Sequence, residues 1–481
     1  MADRPYIERG LASHIDIIPL QERSAHFSVS REWAYRPVPP APGRAFRAAM
    51  PPAGGTCLRL KESAVVHTKG VRTILHSDLN NFYASVECLR RPELRALPVA
   101  VVGDKEARHG IVLAKNERAK AAGVTTGEVT WQARKKCANL VEITADFPAY
   151  LRFSEAVADI YRRYTDQVEA YGIDECWLDV TKSRALFGSG AEIAERIRRE
   201  VREEIGLTVS VGVSWNKVFA KLASEIRKPD AVTLITPENF RETAWSRPAS
   251  DLLYVGKATA GKLALLNIFT VGDLARADPD LLEQKLHKWG IYLWRFANGL
   301  DESPVQKVGA SRNIRSIGNS LTAPQDMASP EALLPLCVLL CESVAARMRE
   351  CGLFKAAGLG VTVTDSRLTV FRRQRRIRPT GRTEDFAAAA MELAEEVFSW
   401  ERPARALGVW AFDFVRDYDQ LDFLSPRAER LAGLDRTVDA LRKKYGPHIV
   451  KRAVILKDPR LAKVDVKGEH VIHPYGFFHR D

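Results

Sequence analysis

Residues 171–181 read YGIDECWLDVT, an apolar, strand-forming run that carries two adjacent carboxylates, Asp174 and Glu175. Ile173, Cys176, Trp177 and Leu178 surround the pair, which places the segment inside the fold. Neighbouring buried carboxylates repel one another and are destabilising unless a cation compensates. An Asp-Glu pair is ordinarily a solvated turn, and the apolar flanks argue against that here. A chain built on this segment must bring positive charge to it. Asp78 follows the strand-like run VRTILH and supplies a third acid at a strand end.

Strand-like and helical runs alternate from 71 to about 236, which indicates an α+β or α/β arrangement. VRTILH, LPVAVVG, GIVLAK, the two arms around Gly172, LTVSVGVS and AVTLIT read as strands. Residues 238–300 are mostly helical, and 312–416 return to a mixed pattern. A further helix, Ala428–Tyr445, is closed by Gly446 and Pro447. Residues 1–70 differ: Pro37, Pro39, Pro40, Pro42, Pro51 and Pro52 crowd one stretch, which reads as a flexible extension. The 481 residues suggest roughly three to four domains, ample for a core without staples. The seven cysteines form no CxxC pair and read as reduced, buried thiols. No stretch approaches the roughly 18–20 apolar residues of a membrane span, and MADRPYIERG lacks the features of a secretory signal. A cytoplasmic protein is expected. The surplus of 72 Lys and Arg over 60 Asp and Glu favours an anionic partner. Composition alone does not choose among nucleic acid, membrane face and acidic protein.

Three carboxylates at strand ends are the hard-oxygen set that two Mg²⁺ ions need, about 3.5–4 Å apart. The words around them are HSDLNNFYASVE (76–87), GIDECWLDVT (172–181) and VSVGVSWNKVFAKLASEIRKP (209–229), in that order. Together they closely resemble the Y-family, or lesion-bypass, DNA polymerases of the bacterial polymerase IV/V type, over about residues 71–449. The resemblance implies an α+β multidomain right hand. Its ferredoxin-like palm would be 71–94 and 147–237, and its small fingers 95–146. A helical helix-hairpin-helix thumb would be 238–308 and an α/β little finger 309–416. A tail with a clamp-binding peptide and a helix would follow at 417–481.

Carried over by motif, Asp78, Asp174 and Glu175 are the metal-binding catalytic carboxylates, with the carbonyl of Leu79 completing one ion's shell. Mg²⁺ is expected, with Mn²⁺ able to substitute. Phe82 and Tyr83 form the aromatic pair of the first motif, and Tyr83 is the steric gate against a ribose 2′-OH. Without the family, Tyr83 is a core aromatic and Lys228 a solvated cation. With it, Lys228 neutralises the incoming triphosphate. Lys217 and Lys221 are less defined and read equally as surface residues. The sequence departs from the pattern at Asn80, where a second acid is usual. It departs again at 117–120, where Glu117 replaces a triphosphate-binding Tyr and Lys120 replaces Arg. Arg118 or Lys115 is placed to compensate for the fork that Lys lacks.

DNA contacts are expected at Gly256 and Lys257, in a hairpin turn whose usual first Gly is Tyr254, and at Arg312 and Arg315. The sharpest charge feature is SRLTVFRRQRRIRPTGR (366–382), with seven Arg and no acid. It includes Arg372, Arg373, Arg375, Arg376 and Arg378, and strand alternation puts arginines on both sides of the ribbon. QLDFL, with Gln420, Leu421, Phe423 and Leu424, resembles a sliding-clamp peptide. The reading is a low-fidelity translesion DNA polymerase without proofreading, a nucleoid-associated monomer that takes dNTPs and primer-template DNA. One rival is a silent accessory DNA-binding protein on the same fold, against which all three acids are retained. The other is a ferredoxin-like nucleotide cyclase, against which residues 312–416 and the Arg ribbon argue.

Overall fold

The computed structural model describes residues 72–103, 110–310, 314–353, 355–415 and 426–468. The Pro-rich stretch, Cys57, Arg312 and the peptide Gln420, Leu421, Phe423 and Leu424 lie outside the described residues.

The first sheet has five strands: β1 (Ile74–Leu79), β5 (Val168–Ala170), β6 (Glu175–Asp179), β7 (Val209–Ser214) and β8 (Val232–Leu234), in the order β5-β6-β1-β7-β8. β1 runs antiparallel to both β6 and β7. With helices Phe147–Arg162 and Gly190–Glu200 between its strands, β1, β5, β6 and β7 make the βαββαβ order of a ferredoxin-like sheet. β8 extends it in parallel beside β7. Three helices around this sheet start where a polar side chain satisfies an orphan backbone N–H. Asp146 accepts from Ala149 N, Ser189 and Glu192 form a capping box, and Asn216 accepts from Phe219 N.

One face of β1 is buried under apolar side chains of the helix Phe147–Arg162, with Leu75, Leu79, Tyr150, Val157 and Ile160 in one cluster. The other face carries Ile74, His76 and Asp78 and is covered by the helix Lys217–Ile226. Gly212 on β7, paired with His76, allows that helix to lie close. A Cβ there would meet Ala220 O at 2.0 Å and Ser224 N at 2.4 Å. This contact sets the distance between the helix and the acids.

A small sheet, β3-β2-β4, is built from β2 (Val99–Val102), β3 (Val112–Lys115) and β4 (Val141–Thr144). Five helices between 240 and 297 carry the mostly helical segment. The third sheet is β11-β10-β12-β9, all antiparallel: β9 (Ser316–Met327), β10 (Lys355–Asp365), β11 (Val370–Thr380) and β12 (Ala404–Val415). Helices Pro330–Glu350 and Thr383–Val397 cover one of its faces.

The C-terminal segment joins this last unit. Ile455, Leu461 and Val466 are buried in its core, and the helix Pro426–Tyr445 is tied to it by an ionic lattice. Glu342, nearly buried, faces both Arg442 (3.1 Å) and Arg452 (2.9 Å). Arg452 also reaches Asp435 (2.8 Å), and Arg349 reaches Asp439 (2.6 Å). Removing one member of such a lattice leaves uncompensated charge, at about 3–5 kcal/mol for a fully buried pair. Glu342→Ala is therefore expected to lower the thermal midpoint of this unit by several degrees. An unchanged midpoint by calorimetry contradicts the lattice as its clasp.

Candidate active site

The β1–β6 register pairs Asp78 directly with Glu175, so their side chains share one face. Leu79 N donates to Asp174 O at 3.0 Å, which pins the 171–174 turn against the end of β1. Two chain segments about a hundred residues apart thus deliver three acids to the adjoining ends of two neighbouring strands, β1 and β6. The carboxylate oxygens of Asp78, Glu175 and Glu225 approach within 4.8 Å of one another, a set that fits a divalent ion. Asp174 is not in that set. Its Oδ1 folds back over Gly172, 3.0 Å from where a Cβ would stand.

Cations from the helix Lys217–Ile226 and its end compensate the cluster. Lys221 Nζ donates to Glu175 Oε2 at 2.5 Å, and Lys228 Nζ donates to Asp78 Oδ2 and Glu225 Oε1, both at 2.9 Å. Lys217 lies one turn earlier, bonded to both Glu169 oxygens at 2.8 Å and seated 4.4 Å over the Trp177 ring. The surface reading of Lys217 and Lys221 is thus corrected: both are largely buried ion-pair partners. His76 is fully buried, with Nδ1 2.9 Å from Ser224 Oγ and Nε2 3.4 Å from Glu175 Oε2. Burial pushes its pKa down to about 4, so it is neutral near pH 7.

The acids divide. Burial, with the charge of Glu175, pushes Asp78 up to about 7 despite Lys228, and Asp174 up to about 6. Burial would also raise Glu175, but His76 and Lys221 hold it down, to about 2. Metal-free, the site therefore keeps its negative charge partly protonated near neutrality.

Asn80 has a structural task where a second acid is usual. Its Nδ2 donates to Ser210 Oγ (2.9 Å) and its Oδ1 accepts from Asp230 N (2.8 Å), which anchors the turn after Lys228. Tyr83 stacks on Tyr150 at 4.4 Å and meets Phe147 edge-on, half-buried; Phe82 is 3% exposed, in the core. Burial and the Asp174 charge raise the Tyr83 phenol well above its usual range. Glu117 accepts from Asn81 Nδ2 at 2.8 Å and lies 3.7 Å from Lys120. Arg118 donates to Arg95 O, and Lys115 to Thr126 Oγ1.

The DNA-contact candidates are dispersed. Gly256 caps the helix Lys257–Ala264 with an ordinary φ of −76°. Tyr254 adopts φ +70°, so this turn keeps the left-handed residue that glycine would supply. Arg315 is exposed beside β9, and the five arginines of β11 lie on an edge strand.

Sequence reasoning missed Glu225 and His76. The helical spacing 217, 221, 225, 228 was the available signal for Glu225. Nothing distinguished His76 from a core histidine.

Comparison with known proteins identifies the family. The impB/mucB/samB family profile matches residues 77–225, and the profile of its C-terminal domain matches 314–423. DNA polymerase IV of Acetivibrio thermocellus is 47% identical over 398 residues, covering 82% of this chain and 100% of that protein. DNA polymerase IV 1 of Bacillus subtilis is 34% identical over 398 residues, covering 80% and 94%. A solved Y-family polymerase chimera, Dbh-Dpo4(243-245)-Dbh, superposes with a TM-score of 0.64 at 23% identity, covering 72% of this chain and 100% of that one. The chain belongs to the impB/mucB/samB family, the Y-family DNA polymerases. It is a DNA-directed DNA polymerase of the translesion type, dependent on divalent metal, with DNA and dNTPs as substrates. Among the described residues no helix is long and apolar enough to cross a membrane.

The raised carboxyls have a consequence for stability. A carboxyl with a raised folded pKa contributes stability that is present below its unfolded value, near 3.8, and lost as pH rises through the folded one. Glu175 has the opposite sign, and its contribution is already full above its unfolded value of 4.5. Metal-free protein is therefore expected to lose melting temperature between about pH 4 and 7, with saturating divalent ion raising it more at pH 7 than at pH 5. Asp78→Asn should flatten both trends. Equal slopes for wild type and variant contradict the assignment.

Proposed function

We propose that Asp78, Asp174 and Glu175 are the catalytic carboxylates of dNTP addition to a primer 3′-OH, and that Mg²⁺ is the ion they hold, with Mn²⁺ able to replace it. The observation that carries this is the pairing of Asp78 with Glu175, with Asp174 pinned beside them by the Leu79 N–H. The Leu79 carbonyl is assigned to the same shell. When bound, two divalent ions would supply an activated hydroxyl on one side and charge neutralisation of the triphosphate on the other.

The protein's own groups do the rest. Lys228, shared between Asp78 and Glu225, is positioned to turn from carboxylate to phosphate as negative charge arrives. Tyr83, wedged against Tyr150 and Phe147, presents a fixed ring as steric gate, with Phe82 as its buried support. In the fingers, Lys120 and Arg118 contact triphosphate once released from Glu117 and the Arg95 carbonyl. The sheet of β1 is assigned as palm, the β3-β2-β4 unit as fingers, and the helices of 238–308 as thumb. The β9–β12 unit is the little finger. Gly256 and Lys257 receive a DNA phosphate at a helix start, and Arg312, Arg315, Arg372, Arg376 and Arg378 hold the duplex. Gln420, Leu421, Phe423 and Leu424 dock on a sliding clamp. The enzyme works as a monomer at the nucleoid, with the low fidelity and missing proofreading general to the family.

Two measurements test this reading. Asp174→Ala and Glu175→Ala should each remove primer extension with Mg²⁺ and dNTPs while leaving duplex binding intact. Extension by either variant at the wild-type rate overturns the carboxylate roles. Tyr83→Ala should raise ribonucleotide incorporation about tenfold or more, roughly 1.4 kcal/mol of lost discrimination. Unchanged sugar selection overturns the gate.

A further inference from the structure

The arginines of β11 are not equivalent, and the sheet register sorts them. Arg373 and Arg375 pair with Val361 and Leu359, residues of the buried core, and so face the helix Thr383–Val397. There Arg375 meets Glu392 and lies 2.8 Å from Glu396, and Arg373 Nε is 3.8 Å from Glu396. Arg372 and Arg376 pair with Thr362 and Gly358, on the opposite, helix-free face.

Glycine recurs on that face. Gly358 and Gly360 on β10, Gly408 on β12 and Gly318 on β9 carry no side chain there. Trp410, paired with Gly360, lies over it: a Cβ at Gly360 would stand 2.1 Å from Trp410 Cζ2. The indole therefore crosses β10 and reaches β11, where the Arg372 guanidinium sits 4.4 Å over its ring. Among the described residues no carboxylate pairs with Arg372 or Arg378, whereas Arg376 has Asp413 at 3.5 Å.

We propose that Arg372, held flat on Trp410 over the Gly360 gap, is the preorganised phosphate contact of the ribbon, that Trp410 is its positioning residue, and that Arg373 and Arg375 clasp the helix instead of DNA. A guanidinium stacked on an indole has lost its rotamer freedom before binding, while its N–H edge stays open to phosphate. Arg375, held by two glutamates, and Arg373, turned toward the same helix, lie on the opposite side of the sheet from that edge. The inference rests on the reading of this unit as the DNA grip.

The test is anisotropy of a labelled primer-template between about 50 and 200 mM salt, with folding checked by circular dichroism. Arg372→Met should weaken binding at least as much as Arg378→Met and reduce the salt slope by about one counterion. Arg373→Met and Arg375→Met should leave Kd within about twofold and lower the melting temperature. Trp410→Ala should weaken binding with Arg372 still present, and Trp410→Phe should recover part of it. Gly360→Ala, which displaces the indole, should act like Trp410→Ala and covers the case in which that variant misfolds. Equal losses at 372, 373 and 375 overturn the sorting. Loss at Arg372 with none at Trp410 or Gly360 overturns the positioning role. No loss at any arginine overturns the DNA-grip reading itself.

Discussion

Three carboxylates held at the ends of two adjacent central strands are the constraint that the rest of the fold answers. The antiparallel register sets Asp78 opposite Glu175, and no side-chain adjustment can move them apart. The same-sign charge must be met within a few ångströms, because burial weakens the help that water gives. Lys221 and Lys228 meet it from one helix and its end, and raised carboxyls absorb what remains. In the proposed role of this site, arriving metal and nucleotide would replace ammonium groups and protons.

Several features far from the acids serve that arrangement. Gly212 matters because a side chain there would lift the lysine-bearing helix off β7. Asn80 ties down the turn that follows Lys228, a task a second carboxylate at that position could not share through the same amide donor. The β9–β12 sheet uses glycine in the same way. Bare positions on β10 allow Trp410 and Phe412 to lie flat across the strand. In both places the absence of a side chain fixes where a cation ends up.

Much of this was legible in the sequence. The acids at 78, 174 and 175 stood out because charge within an apolar strand run is costly, and their surrounding words matched a family. Strand and helix positions followed from periodicity. Register was not legible, and register decides most of what was missed. Whether Arg373 or Arg372 meets the helix depends on one residue of strand offset. Glu225 and Lys221 depend on how closely a helix lies on a sheet. Tyr254 cast doubt on its turn by residue type, yet the backbone holds it in the left-handed region, with Trp289 and Phe296 packed against its ring.

If the carboxylate cluster compensated by Lys221 and Lys228 is the divalent-ion site, electron paramagnetic resonance of Mn²⁺ bound to the full chain, with chain-terminated primer-template and an incoming dNTP, measures it directly. About two ions per protein are expected in the wild type, and loss of at least one in Asp78→Asn with DNA still bound. The same stoichiometry and affinity in both proteins would contradict it.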